Sequence, residues 1–314
     1  MSRGKKNASW ISLLLIVGCL PGCQRKVVDA WSPNPDAARQ IRDLVEPGEG
    51  MQTTGGLAKE PTGFATLRGV VQFNRQPKMP SDTLASGNDA KLCSPDGSAL
   101  ENTTLQVGPN NGLRNVAIWL TKPRKIPEDP KWIHEEYQAT RDAVLTGKDA
   151  FDQKKCVFLS PMFAMRSTQK VEILNSDSML HNTKIEGDPG GGAAGANSGI
   201  SGGGKVLYEP VGYSNQPFKV SCSIHGWMQS WMLVRPNPFF AVSDLNGGFE
   251  VAYLPAGIDM EFRVSHEGKF FGADVKATVN GEPLAIKSGR LKLSGIEPND
   301  VIELKFVLDA KNYE

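Results

Sequence analysis

The stretch Cys222-Ser-Ile-His225-Gly-Trp-Met228 sets a thiol, an imidazole and a thioether within seven residues, at the end of the apolar segment Phe218–Cys222. Two residues between neighbouring donors leave successive α-carbons no more than about 10–11 Å apart, even in a fully extended chain. If the segment curls as a loop, all three side chains reach one ion. A chain built around such a loop needs firm strands on either side to hold it. Thiolate and thioether are soft donors, and zinc prefers a fourth strong ligand where this loop offers a thioether.

A fourth donor has to come from elsewhere. Outside the loop the histidines are His134, His181 and His266. His181 follows the strand candidate Lys170–Leu174 and the turn Asn175–Ser178, which carries it to the same end of a sandwich as the Cys222 loop. His134, in Trp132-Ile-His-Glu-Glu136, reads as a surface residue at a helix start. His266, in Val264-Ser-His-Glu267, reads as a hydrogen-bonding turn residue. Two imidazoles, one thiolate and a long axial thioether make the type 1 copper arrangement. The ligand set expected from the sequence is therefore His181, Cys222, His225 and Met228.

The rest of the chain predicts an all-β fold. Glycine (33) and proline (21) are plentiful in the 314 residues, which suits short strands and turns better than long helices. Strand-like segments occur at Thr66–Phe73, Asn115–Leu120, Cys156–Leu159, Met162–Met165, Lys170–Leu174, Phe218–Cys222 and Ser230–Val234. Residues 124–154 are mostly polar and read as an insertion with a helix over Pro130–Gly147. Gly187–Gly204, half of it glycine, reads as a flexible surface loop. After Pro236-Asn237-Pro238 short strands recur at Phe239–Val242, Phe249–Tyr253, Met260–Val264, Arg290–Leu293 and Val301–Leu308. Turn signals at Asp244–Gly248, Pro255–Gly257 and Asn280-Gly281 separate them, as in a small antiparallel sandwich. Asp244–Glu250 lacks the spacing of a calcium loop and reads as a plain turn.

The N-terminus stands apart from this pattern. Arg3, Lys5 and Lys6 precede an apolar run from Trp10 to Val17 that is too short to span a bilayer and reads as a secretion signal. It ends in two Gly-Cys sites, at Cys19 and Cys23, either of which suits lipidation. Residues 24–62 are polar, with scattered proline and glycine, and read as a spacer with a short helix at Ala37–Val45. The expected location is extracytoplasmic, with the body tethered to a membrane by its N-terminal lipid. With Cys23 lipidated, the body keeps Cys93, Cys156 and Cys222. In an oxidising compartment two of these pair and one is left over. A Cys93–Cys156 disulfide pinning the 94–155 excursion to the sheet is expected, which leaves Cys222 for a metal; pairing of Cys222 with either would destroy the site.

A formal net charge of +1 leaves no nucleic-acid footprint, so no nucleic-acid partner is expected. No nucleophile elbow, P-loop or dinucleotide fingerprint occurs. Four protein ligands leave no open coordination position, so no enzyme activity is expected. The competing readings are a copper chaperone or store, and a metal-free envelope scaffold.

The Cys222–Met228 segment resembles the copper loop of cupredoxins, with the short spacing of the amicyanin type. Plastocyanin-type loops place the methionine two residues later, where this chain has Ser230. In cupredoxins an asparagine follows the first histidine ligand and ties its strand to the cysteine loop; here Asn182 follows His181. Ser223 takes the place of the small hydroxyl residue common after the cysteine. From about Gly63 to Val307 the chain is similar to bacterial plastocyanin-like envelope proteins that join a cupredoxin to a carboxypeptidase regulatory-like segment. The shared wording includes Arg68-Gly-Val-Val71, Asn175-Ser-Asp177, Trp227-Met228 and Leu254-Pro-Ala-Gly257.

The resemblance implies a Greek-key cupredoxin β-sandwich over residues 63–236, with a partly helical insertion, and a small antiparallel sandwich over 237–314. It implies one type 1 copper ion, braced by Asn182 and Ser223 behind the ligands. It also implies single-electron exchange with a redox protein such as a c-type cytochrome or another copper protein. Electrons would leave through His225 and the flat apolar patch of Gly226 and Trp227. Gly226 stands where the family usually has proline, and Lys184 stands where a second histidine is usual.

Overall fold

The computed structural model describes residues 59–100 and 102–313. The segment expected to be a secretion signal, with Cys19 and Cys23, and the helix expected at Ala37–Val45 lie outside the described residues. Among the described residues no helix is long and apolar enough to cross a membrane.

The chain is all-β, with four sheets stacked face to face. The first sheet orders Gly248–Pro255, Phe64–Phe73, Val301–Leu308, Lys276–Val279 and Glu282–Leu284. The second orders Phe240–Val242, Val116–Lys122, Met260–His266 and Lys269–Phe270, with Arg290–Leu293 also on Met260–His266. The third, which carries the candidate site, orders Met162–Arg166, Gln229–Arg235, Phe218–Ser221, His181–Ile185 and Ala196–Ile200. The fourth orders Lys205–Tyr208, Lys170–Asn175, Phe151–Lys154 and Val157–Phe158, with Val144–Leu145 on Lys170–Asn175.

Side-chain alternation explains the stacking. Val301–Leu308 reads exposed, buried, exposed, buried along its length, because only one of its faces meets a core. Val116–Leu120 is buried at every position. Val116, Ile118 and Leu120 point into the core between the first and second sheets, with Leu67, Phe262 and Phe306. The intervening Ala117 and Trp119 point the other way, onto Met162 and Leu233 of the third sheet. A strand with a core on both sides loses its alternation, which is why this segment is apolar without interruption. A third cluster, with Phe151, Ile173, Val220 and Met232, fills the space between the third and fourth sheets.

Residues 57–314 form one compact unit. Phe64–Phe73 pairs antiparallel with Gly248–Pro255 and parallel with Val301–Leu308. Val116–Lys122 pairs with Phe240–Val242 and Met260–His266. The two sheets of the C-terminal half therefore each take in one strand from ahead of residue 123.

Two sequence expectations are corrected. The helix expected over Pro130–Gly147 is confined to Glu135–Ala139, which has no fully buried residue and meets the core through the partly buried Tyr137. Gly187–Gly204 is not a featureless loop. Ala196–Ile200 pairs along the whole of His181–Ile185, with His181 opposite Ile200. Its glycines serve close backbone contacts: a Cβ on Gly191 would lie 2.2 Å from the Tyr213 carbonyl oxygen, and one on Gly202 2.3 Å from that of Ser178.

Candidate metal centre

His181 opens its strand because the turn before it is tied on both sides. Strand Lys170–Asn175 ends at Asn175, whose side-chain N–H groups donate to the carbonyls of Met179 and Ile200, both at 2.8 Å. Asn175 Oδ1 accepts from the Asp177 N–H at 3.1 Å. Asp177 in turn accepts from the backbone N–H groups of Lys155 (2.6 Å) and Cys156 (2.8 Å). This turn leaves His181 fully buried at the sheet's end, with Nε2 2.8 Å from Asp177 Oδ2.

Cys222 follows directly on strand Phe218–Ser221. The loop closes on itself: the Met228 N–H donates to the His225 carbonyl at 2.9 Å, and the Cys222 N–H to the Met228 carbonyl at 3.2 Å. Asn182 clasps it from the neighbouring strand. Its Oδ1 accepts from the N–H groups of Ser223 (2.7 Å) and Ile224 (3.3 Å) and from the Cys222 thiol (3.3 Å). Its amide donates to Asn197 at 2.8 Å and to Ser223 Oγ at 3.3 Å.

These two elements bring the donor atoms of His181, Cys222 and His225 within 4.8 Å of one another. The two imidazoles face each other through Nδ1, 2.8 Å apart, and Cys222 Sγ lies 3.9 Å from His225 Nδ1. Met228 is buried in the same apolar cluster as Cys222. The distal nitrogens are both taken by carboxylates, His181 Nε2 by Asp177 and His225 Nε2 by Asp89 Oδ2 at 3.2 Å. Carboxylates accept Nε2–H and so turn the Nδ1 lone pairs inward. Two lone pairs at that distance require a cation between them, a proton or a metal ion. The residues present thus fit a copper ion bound by two imidazoles and a thiolate.

The electrostatics agree. Burial pushes the His181 pKa down, but Asp177 and the Cys222 sulfur outweigh it and hold the ring up at about 9. Burial raises the Cys222 thiol, yet His181 and the surrounding donors bring it below its ordinary value. His225 is lowered, first by burial and then by the charge of His181, with Asp89 opposing.

Cys93 and Cys156 form a disulfide and Cys222 is a free, buried thiol. His225 is only 2% exposed. On the outer side of the loop Ser223, Ile224 and Gly226 are exposed. Trp227 is partly buried, its ring centroid 5.1 Å from that of His225 and its indole N–H donating to the Cys156 carbonyl at 3.0 Å. His134 stacks on Tyr253 at 3.8 Å and His266 is buried at the end of strand Met260–His266; neither joins the cluster.

Asp89 and Asp177 are the site residues that sequence reasoning did not single out. Asp177 lies four residues before His181, within a segment already noted for its likeness to relatives. Asp89 is 136 residues from His225 and carries no local signal.

No protein-family model matches the chain, and no curated protein matches it. Among solved structures, a reduced amicyanin variant is similar over 29% of this chain and 86% of its own, at 15% identity and a TM-score of 0.23. Amicyanin from Paracoccus versutus is similar over 29% of this chain and 85% of its own, at 17% identity and a TM-score of 0.24. A copper-containing nitrite reductase from Thermus scotoductus is similar over 27% of this chain and 21% of its own, at 14% identity and a TM-score of 0.24.

Proposed function

We propose that this protein is a type 1 copper electron carrier of the cupredoxin kind, working outside the cytoplasm of a bacterial cell. The observation that carries the reading is the pair of buried imidazoles facing through Nδ1 at 2.8 Å with the free Cys222 thiol beside them. His181, Cys222 and His225 would hold the ion, with the Met228 thioether as the weak axial donor. Copper bound there supplies a one-electron Cu(I)/Cu(II) couple.

The protein's part is to keep the donors still. Asp89 and Asp177 fix the tautomer and orientation of both rings, and Asn182 locks the cysteine loop to the histidine strand. Little then has to rearrange when the charge at the site changes. Because the edge of His225 is covered by Asp89, the exit for electrons in this reading is the Trp227 ring beside it. Ile224, Gly226 and Trp227 would form the docking patch for a c-type cytochrome or another copper protein. The lipid at Cys19 or Cys23 would keep the carrier near membrane partners, and residues 237–314 would scaffold the site.

The covering of His225 favours one alternative, a copper store or chaperone. The visible absorption spectrum after addition of Cu(II) separates the two. A carrier develops an intense thiolate-to-copper charge-transfer band, and Cys222→Ser abolishes it. A store binds Cu(I) without a stable coloured Cu(II) form. A protein that takes up neither ion has lost the metal function, and the proposal fails.

A further inference from the structure

The Cys93–Cys156 disulfide lies against the metal centre. Its two sulfurs and a ring nitrogen of His225 all lie within 4.8 Å of one another. Cys156 Sγ is also 3.8 Å from Met179 Sδ. Cys93, Cys156 and His225 are buried, and Met179 packs partly buried on the same cluster. Two cysteine sulfurs, a thioether and an imidazole therefore converge beside His181, Cys222 and His225, and the two sets share His225.

While the pair is oxidised it offers no thiolate and cannot serve as a ligand set. Reduced, it becomes two soft anionic donors next to a third sulfur in a largely dry setting. That combination suits Cu(I), which soft thiolate and thioether ligands select. The backbone keeps the sulfurs together after the bond opens. Cys156 is held by its N–H on Asp177, and Cys93 by a short helix, Ala90–Cys93, whose preceding residue Asp89 contacts His225. Lys91 and Leu92 on that helix are exposed, so a reductant has a side from which to approach.

We infer that reduction of the Cys93–Cys156 disulfide creates a second, Cu(I)-binding site made of Cys93, Cys156, Met179 and His225. The reductant is a dithiol. One of its thiolates attacks a disulfide sulfur, the S–S bond breaks, and its second thiol completes the exchange. Two electrons and two protons pass to the cysteine pair, and the donor leaves as a disulfide. Cu(I) then displaces the two thiol protons to solvent without changing its own oxidation state. Because His225 is shared, the two sets compete for one imidazole, and an ion on the cysteine pair is one ligand exchange away from Cys222. This inference does not depend on whether the Cys222 set forms a coloured copper centre.

The test uses the full chain carrying Cys222→Ser, which removes the type 1 thiolate and leaves the second set whole. Under anaerobic conditions, protein reduced with a phosphine and protein left oxidised are each titrated with Cu(I) against a chromophoric Cu(I) chelator. The reduced form should withdraw one equivalent from the chelator and the oxidised form none. Met179→Leu should weaken that uptake, and Cys93→Ser should abolish it. In the phosphine-reduced Cys222→Ser chain, Cu(I) should protect Cys93 and Cys156 from iodoacetamide, read by peptide mass mapping. Equal uptake by reduced and oxidised forms overturns the inference, as does unchanged labelling of Cys93 and Cys156. Loss of the β-sheet circular dichroism on reduction overturns it too, since an unfolded chain holds no such site.

Discussion

At the scale of single residues, the centre depends on groups that never touch the metal. Asn182 accepts three hydrogen bonds from the cysteine loop through one oxygen. In Asn182→Ala the loop N–H groups lose that acceptor, which costs about 1–3 kcal/mol for a part-buried donor left unmade. The urea midpoint of the copper-free variant should fall accordingly, with an unchanged slope. Gly226 presents the opposite case. A Cβ built on it meets nothing within 4 Å, and its backbone is not in the left-handed region. Gly226→Ala should raise stability by about 0.4–1 kcal/mol, because alanine narrows the unfolded ensemble at no native cost. Thermal unfolding of the copper-free protein checks this, and a lower midpoint would show that the loop needs glycine's freedom.

Hairpin Met260–His266 to Lys269–Phe270 shows how an element can carry a pH dependence of its own. It turns through Glu267 and Gly268, both at positive φ (49° and 71°), with His266 opposite Lys269. Burial is the chief influence on Glu267 and pushes its carboxyl up to about 7 from an ordinary 4.5, against the pull of Lys269 and Lys219. A folded pKa above the unfolded one means that the protonated form stabilises the fold. That contribution is full below pH 4.5 and is lost as pH rises through about 7. Glu267→Gln should therefore gain stability at pH 8, by about 1–3 kcal/mol, and gain almost nothing at pH 4.5. Urea unfolding at the two pH values decides the sign. Elements of this kind were legible where one face met a core: Val301–Leu308 and Arg290–Leu293 have the bounds that alternation predicts. His181–Ile185 was not, because its polar residues His181, Asn182 and Thr183 are buried, in a strand paired on both sides and tied by the metal centre's own hydrogen bonds.

For the whole molecule, the shared sheets decide what can be cut. Phe64–Phe73 and Val116–Lys122 find every strand partner named for them beyond residue 236. A fragment ending at residue 236 would leave the large cluster around Leu67, Ile118 and Phe73 half uncovered. Such a fragment should be insoluble or lack a cooperative thermal transition, while residues 59–314 melt in a single step; calorimetry of the two chains reads the difference. The all-β class, most strand positions and the grouping of Cys222, His225 and Met228 were written in the chain itself. Alternation and ligand spacing act over a few covalently linked residues, and a linear reading captures that range. The Asp89 carboxylate on the distal nitrogen of His225, the disulfide against that ring and the strands shared across residue 236 were decided only by the tertiary structure. Each joins segments tens to hundreds of residues apart, and their meeting depends on the order in which strands enter a sheet, which periodicity along one chain does not encode.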